Sequence, residues 1–373
     1  MKIKNLLLII GVVIAYVCII GYVRISNDRT LEERYYQSWR KDYIKNKNQS
    51  EQYVNAAGKN GSAFALSEAQ GYGMLLAVRA GQKNLGTQED FQKLDNYYLT
   101  HRLKNSNLMS WKQEYRKKRW QDNPVSASDG DIMIAQALLR ANKIWPGHGY
   151  KTQALNLIKD IKKLEVNNSA KMISVGDWAN EDSSFYNVMR TSDVMPKAFE
   201  EFYHASGDRS WLTIKKQMLD YLQQISSKHN TGLVPDFALI DNKHVKPAKS
   251  NSVATKDDGY YSANACRVPM LLAESNDKEA NQIVRKMLRF FKENGYISAG
   301  FTLNGKELHH YQSASFSAPI FVAASKYRSQ GYDTVLEHEK YIFSKPLPNN
   351  NYYDATLTVL AALNTNELTG LDK

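Results

Sequence analysis

Three acidic residues stand where two apolar segments begin. Glu68 opens Glu-Ala-Gln-Gly-Tyr-Gly-Met. Asp129 and Asp131 open a run with no further charge until Arg140. Carboxyl groups gathered at neighbouring helix starts can divide the work of a displacement. One, kept protonated, gives its proton to a leaving oxygen, and a carboxylate assists on the opposite face; cleavage of a glycosidic bond needs this arrangement. The plainer alternative is that Glu68 and Asp131 are first-turn acids favoured by the helix dipole. Gly71-Tyr72-Gly73 tilts the reading toward chemistry. Each glycine inside a helix costs roughly 1 kcal/mol, so two so close together suggest close packing or approach of a ligand.

These acids need helices to hold them. Ser67-Glu68-Ala69-Gln70 reads as a capping box opening a helix that runs to about Gly81. Thr87-Gln88-Glu89-Asp90 starts another, with Phe91, Leu94, Tyr97 and Tyr98 on one face. Further helices are expected near 131–145, 149–164, 195–205, 208–228, 260–275, 278–294, 315–328 and 352–365. Val175 to Trp178 and Gly300 to Leu303 suit short strands or extended loops, and no alternation is long enough for a sheet core. Charged amphipathic helices alternate with apolar, nearly uncharged ones. That pattern predicts an all-α fold in two concentric layers, six inner and six outer helices, with the acids at one mouth of a central cleft.

The chain has 373 residues, 23 tyrosines, a net charge of +11 and only two cysteines, Cys18 and Cys266. Neither a disulfide framework nor a cysteine zinc or redox site is available. Leu6 to Val23 runs eighteen residues without a charge behind Lys2 and Lys4 and lacks a small-residue cleavage site. It reads as an uncleaved transmembrane anchor, with a cleaved secretory signal as the alternative. The expected organisation is therefore an anchor or signal over 1–25, a short linker over 26–34 and one domain over 35–373. The body is placed outside the cytoplasm, on the cell membrane or secreted. The basic run Trp111 to Trp120 is then a solvated loop rather than a nucleic-acid site.

Several segments in order resemble glycoside hydrolase family 8. Residues 127–145, ASDGDIMIAQALLRANKIW, are similar to the family signature, and Leu66 to Met74 to its general-acid motif. Leu108-Met109-Ser110-Trp111, Gly232 to Phe237, Cys266-Arg267-Val268-Pro269 and Tyr352-Tyr353-Asp354-Ala355 extend the likeness over about 35–365. The resemblance implies an (α/α)6 barrel, no metal or cofactor, and inverting hydrolysis of β-1,4-type polysaccharides. It makes Glu68 the proton donor and Asp129 the carboxylate that holds the distorted sugar. Trp111 becomes a stacking platform and Arg267 a cleft arginine. Tyr72, Asp131, Asp193, Asn264 and Tyr353 join them as substrate-binding candidates.

One position departs from the pattern. Asn264 stands where many members carry an aspartate base, and an amide cannot take a proton from water at neutral pH. Some branches supply the base from an inserted loop, here Leu239 to Gly259, which holds Asp241, Asp257 and Asp258. Asp258, or Asp257, is the expected base. The leading expectation is a tethered, endo-acting hydrolase of a β-linked glucan with a monomeric catalytic domain. Chitosan, xylan and a catalytically weakened polysaccharide-binding protein are the alternatives, chitosan being disfavoured by the chain's positive charge.

Overall fold

The computed structural model describes residues 3–368 except 59, 60 and 243; within the first helix the side chains of 3–8 and 23–28 are outside the description. Twelve α-helices order the described residues. They are α1 (Ile3–Tyr43), α2 (Ser67–Gln82), α3 (Gln88–Thr100), α4 (Ser128–Ile144), α5 (Tyr150–Leu164), α6 (Pro196–Ser206), α7 (Ser210–Lys228), α8 (Val268–Ala273), α9 (Lys278–Asn294), α10 (Ala314–Lys326), α11 (Asp333–Glu339) and α12 (Tyr352–Asn364).

The even-numbered helices form a closed inner ring. α2 packs on α4, α4 on α6, α6 on α8, α8 on α10, α10 on α12, and α12 returns to α2. Each odd-numbered helix from α3 to α11 lies outside the helix it follows, and α1 lies against α12. This is the expected (α/α)6 barrel. The reason is visible in the side chains. α4 buries Ile132, Met133, Ile134, Ala135, Ala137, Leu138 and Leu139 on all sides, while α9 buries one stripe of Ala280, Ile283, Val284, Met287, Leu288 and Phe291. A helix apolar all round must be covered all round, and a striped one must lie outside.

The connections divide by face. Links from inner to outer helices are short, at 83–87, 145–149, 207–209, 274–277 and 327–332. Links from outer to inner helices are long and gather at the inner helices' N-terminal ends. They carry ten short strands: β1 (Ile44–Asn46), β2 (Gln52–Val54), β3 (Phe64–Leu66), β4 (Lys112–Arg116), β5 (Arg119–Asp122), β6 (Val166–Asn167), β7 (Met172–Ile173), β8 (Val188–Arg190), β9 (Phe237–Asp241) and β10 (His244–Pro247). Antiparallel β3-β4-β5 and β8-β9-β10 are the larger sheets. The basic run over 111–120 is therefore a hairpin, not a loop, its turn made by Lys117 and Lys118 with φ of 50° and 62°.

Of the two readings open for Val175 to Trp178 and Gly300 to Leu303, both segments take the loop, with Phe301 alone bridging, to Tyr261 and Glu307. Two other expectations change. The helix expected over 260–275 is a 3-10 turn, Ala265–Arg267, followed by the short α8. The expected linker over 26–34 lies inside continuous helix α1, and Leu31 is already buried in the core.

The expected anchor finds partial coverage only. Among the described residues no helix is long and apolar enough to cross a membrane. Residues 6–8 and 23 of the uncharged stretch lie among the side chains outside the description. The described part, from Ile9 to Tyr22, exposes Val12, Ile14, Val17, Ile19 and Ile20 with nothing packed on them.

Candidate active site

Arg267 is the hub. Its guanidinium is 1% exposed and reaches two acids that lie 61 positions apart in sequence. Nη1 donates to Glu68 Oε1 at 2.8 Å and to Asp129 Oδ2 at 3.2 Å; Nη2 donates to Asp129 Oδ2 at 3.2 Å, Ser192 Oγ at 2.7 Å and Asn264 Oδ1 at 3.1 Å. The turn that presents it is shaped by Asp236, whose Oδ1 accepts the N–H groups of Ser262, Asn264 and Ala265 at 3.1, 3.0 and 2.7 Å. Burial pushes the Asp236 carboxyl up to about 7 against those donors.

The two acids are shifted in opposite directions. Burial raises the Glu68 carboxyl above the ordinary carboxylate range; Arg267 opposes this and the Asp129 charge adds to it. Its Oε2 also accepts from the Tyr352 hydroxyl at 2.6 Å. Burial works against charge on Asp129 as well, but Arg190 and Arg267 outweigh it and hold that carboxyl below its usual range. Arg190 Nη1 lies 3.0 Å from Asp129 Oδ1. Two carboxyls on neighbouring helix starts, one pushed toward the protonated form and one toward the carboxylate, make the division that acid-assisted cleavage requires.

Backbone contacts set the spacing of these helices. The first-turn N–H of Ser67 donates to the Trp111 carbonyl at 3.0 Å, tying α2 to the platform segment. This replaces the expected capping box, since α2 has no side-chain cap and Gln70 instead bonds Val54 N and Leu94 O. Gly71 and Gly130 face each other's helix. A methyl at Gly71 would stand 2.8 Å from Met133 Cβ, and one at Gly130 would stand 2.6 Å from the Ser67 backbone carbon.

A cleft of about 330 Å³ opens above the acids, lined by Glu68, Trp111, Asp129, Asn264 and Tyr353 among the expected residues, with Arg267 just beneath. Arg190 and Tyr352 also line it. Neither was singled out from sequence as a site residue, although Arg190 stands three residues before Asp193 and Tyr352 beside Tyr353. The other candidates lie elsewhere. Tyr72 is buried one turn below Glu68, out of reach of a sugar. Asp193 is buried behind Arg190, which it pairs at 3.3 Å, so it orients that guanidinium rather than substrate. Asp258 is buried in its own loop, its carboxylate accepting the N–H groups of Val253, Ala254 and Thr255 at 2.7–3.1 Å. A carboxylate so engaged has no oxygen directed at the cleft.

Asp131 also leaves the cleft. Its Oδ1 accepts Met109 N at 2.8 Å, fixing the segment that leads to Trp111. Glu165 lies against it, with Oε1 taking the Ser126 hydroxyl at 2.6 Å. The remaining oxygens, Asp131 Oδ2 and Glu165 Oε2, are buried without an N–H or O–H donor, which a proton held between them supplies. Burial raises Glu165 to about 8, and burial with the neighbouring Glu165 raises Asp131 well above its usual value. Because a raised carboxyl stabilises the fold below its unfolded value and ceases to as pH climbs through the folded one, stability should fall as pH rises from the ordinary carboxylate range to about 8. The slope contributed by one shared proton is up to roughly 1.4 kcal/mol per pH unit. Asp131→Asn, which keeps the bond to Met109 N and gives Glu165 a permanent donor, should flatten that slope in denaturant titrations. An unchanged slope would remove the shared proton.

The acids, the two arginines and the aromatic walls together suit proton-assisted displacement on a pyranose chain. The family model "Glycosyl hydrolases family 8" matches residues 11–367. Curated relatives include "Beta-glucanase" of Niallia circulans, 32% identical over 306 residues, 78% of this chain and 73% of that protein. "Endoglucanase" of Bacillus sp. (strain KSM-330) is 30% identical over 329 residues, 81% and 69% respectively. Among solved structures, the apo β-1,3-1,4-glucanase of Paenibacillus sp. X4 superposes with a TM-score of 0.83 at 27% identity, covering 92% of both chains.

Proposed function

The chain belongs to glycosyl hydrolase family 8 and is a glycosidase, and from that premise we propose an endo-acting, inverting enzyme of a neutral β-1,4-linked glucan, cellulose-like or mixed-linkage, tethered outside the cytoplasm by α1. The observation carrying the reading is Glu68, its carboxyl raised, and Asp129, its carboxyl lowered, held on one buried arginine at the floor of an aromatic-walled cleft. The relatives' names, β-glucanase and endoglucanase, support the substrate class and the endo mode. Two guanidinium groups face the two acids, so the cleft floor carries no excess negative charge, which argues against the polycation chitosan. The apolar side chains exposed along α1 from Ile9 to Ile20 support the tether.

In this reading Glu68 protonates the glycosidic oxygen as the bond breaks. Asp129, ionised, stabilises positive charge on the distorted sugar, and Trp111 covers its apolar face. A water attacks the anomeric carbon from the opposite side and loses its proton to a base. Asp129 is poorly placed for that step. Both carboxyls lie on the same Arg267 Nη1, Glu68 at 2.8 Å and Asp129 at 3.2 Å, which holds their nearest oxygens within about 6 Å of each other, short of the ~6.5–9.5 Å separation that leaves room for the water. Asp241 ends β9 at a separate hollow with Ser169, Asn187 and Tyr221. Asp257 is the remaining acid of the loop, half-buried and with no side-chain hydrogen bond among the described residues. We therefore assign the base to Asp257, the second of the two loop acids expected from sequence.

The test uses the full chain in detergent with carboxymethylcellulose, mixed-linkage β-glucan, xylan and chitosan. Turnover on a β-glucan with release of the α-anomer, read by proton NMR, is expected. Turnover confined to xylan or chitosan would overturn the substrate class, and β-anomer release would overturn inversion. Asp257→Asn should lose about 10²–10⁴-fold in turnover and recover part of it with azide, which needs no base. Asp258→Asn should instead lower stability through its loop. A fully active Asp257→Asn would remove Asp257 from the chemistry.

A further inference from the structure

From the path of α1 we infer that the barrel stands on the membrane by the face of its short connections, with the cleft directed away from the bilayer. This rests on the tether proposed above. α1 runs as one helix from Ile3 to Tyr43, and its C-terminal part is an outer helix of the barrel. Its direction across the barrel is fixed at both ends. Glu32 pairs with Lys83 at 2.5 Å, where α2 ends on the short-connection face. Tyr43 donates to the Pro348 carbonyl just before α12 begins on the cleft face. The helix therefore leaves the barrel through the short-connection face.

The lengths agree with a barrel resting at the headgroups. At 1.5 Å per residue, the uncharged Leu6 to Val23 extends about 27 Å, close to the ~30 Å hydrocarbon thickness. Leu31 is the first described residue of α1 buried in the core. Between Val23 and Leu31 lie about 12 Å of helix, with Arg24, Asn27, Asp28 and Arg29 in its sequence. That is a polar collar long enough to clear a headgroup layer, on an unbroken helix. A flexible linker would leave the domain free to turn over; a continuous helix does not. The partner surface is the lipid headgroup plane, and the exposed Lys143, Arg209, Lys278 and Lys326 meet it alongside acids such as Glu274. The substrate then arrives from outside, at least one barrel height above the lipid.

The orientation is measured on full-length protein in vesicles. Cys18→Ser leaves the buried Cys266 as the remaining thiol, and a donor dye is placed by Lys143→Cys on the short-connection face or by Lys118→Cys at the hairpin tip on the cleft face. With acceptor-labelled lipid in the outer leaflet and a donor–acceptor pair of short range, transfer from position 143 should exceed that from 118 several-fold. Equal or reversed transfer overturns the orientation while leaving the tether intact. Protein that does not float with the vesicles overturns the tether, and the orientation with it. Cellulase-type turnover measured in the same vesicles is independent of both.

Discussion

Glu68→Gln abolishes polymer cleavage without unfolding the barrel: turnover falls about 10²–10⁴-fold, the usual loss when a general acid is removed. The amide fits the same cage. Its oxygen keeps the Arg267 Nη1 contact made at 2.8 Å, and its nitrogen can donate to the Tyr352 hydroxyl that now donates at 2.6 Å. What is lost is the proton. The deficit should therefore depend on the leaving group. A β-oligoglucoside of dinitrophenol, whose phenolate departs without protonation, should be cleaved by the variant at a rate near that of the parent. Equal losses on both substrates would mean that Glu68 positions rather than protonates. An active variant on polymer would sink the assignment, and binding without turnover in the parent would favour the lectin-like alternative raised by Asn264.

Arg267→Met should cost more, because it acts on charge and fold together. The guanidinium is buried, and removing it leaves Asp129 with Arg190 and the Gly130 N–H, Glu68 with Tyr352, and Ser192 and Asn264 short of a donor. Breaking a buried ion pair from one side costs about 3–5 kcal/mol, enough to shift thermal unfolding by many degrees. Arg267→Lys separates the two effects. It keeps a charge and loses the fork that bridges both acids, so the barrel should remain folded. Arg267 lowers both carboxyls in the parent, so weakening it should let both rise. The basic limb of the pH–rate profile, set by the proton donor Glu68, then moves to higher pH, together with a large fall in kcat. A lysine variant with the parental profile would show that the arginine holds structure only.

The helices were legible because burial imposes a period. The stripe of α9 and the uncharged run of α4 stand in the sequence as plainly as in the fold. Thr87 begins α3 where the sequence places a helix start, closing with Asp90 a reciprocal cap of the kind expected at Ser67 instead. Glu68, Asp129 and Trp111 were legible through their motifs. Other features depended on tertiary contacts that no local pattern carries. Asp131 resembled a cleft acid because it sits two residues from Asp129, yet that step turns its side chain across α4 toward Met109. Asp258 looked available until its loop folded three N–H groups onto it. α11 is seven residues long, too short to show a period, and α1 continues through a polar stretch that reads as a linker.

The contact at Gly71 and Gly130 has a reach beyond packing. Backbone to backbone, α2 and α4 touch there, so the gap between the carboxyl groups they carry is gauged a turn below the floor, by two residues that meet no sugar. That gap sets how far the proton donor stands from the carboxylate beside it, and how strongly each charge acts on the other. Side chains around the cleft can vary with the polymer being cut, while any widening of this seam would change how the two acids share Arg267. Libraries confined to cleft-lining positions would tune preference among glucans and leave the gauge untouched. Changes in pH optimum would be found at these two glycines, where no inspection of the binding surface would look.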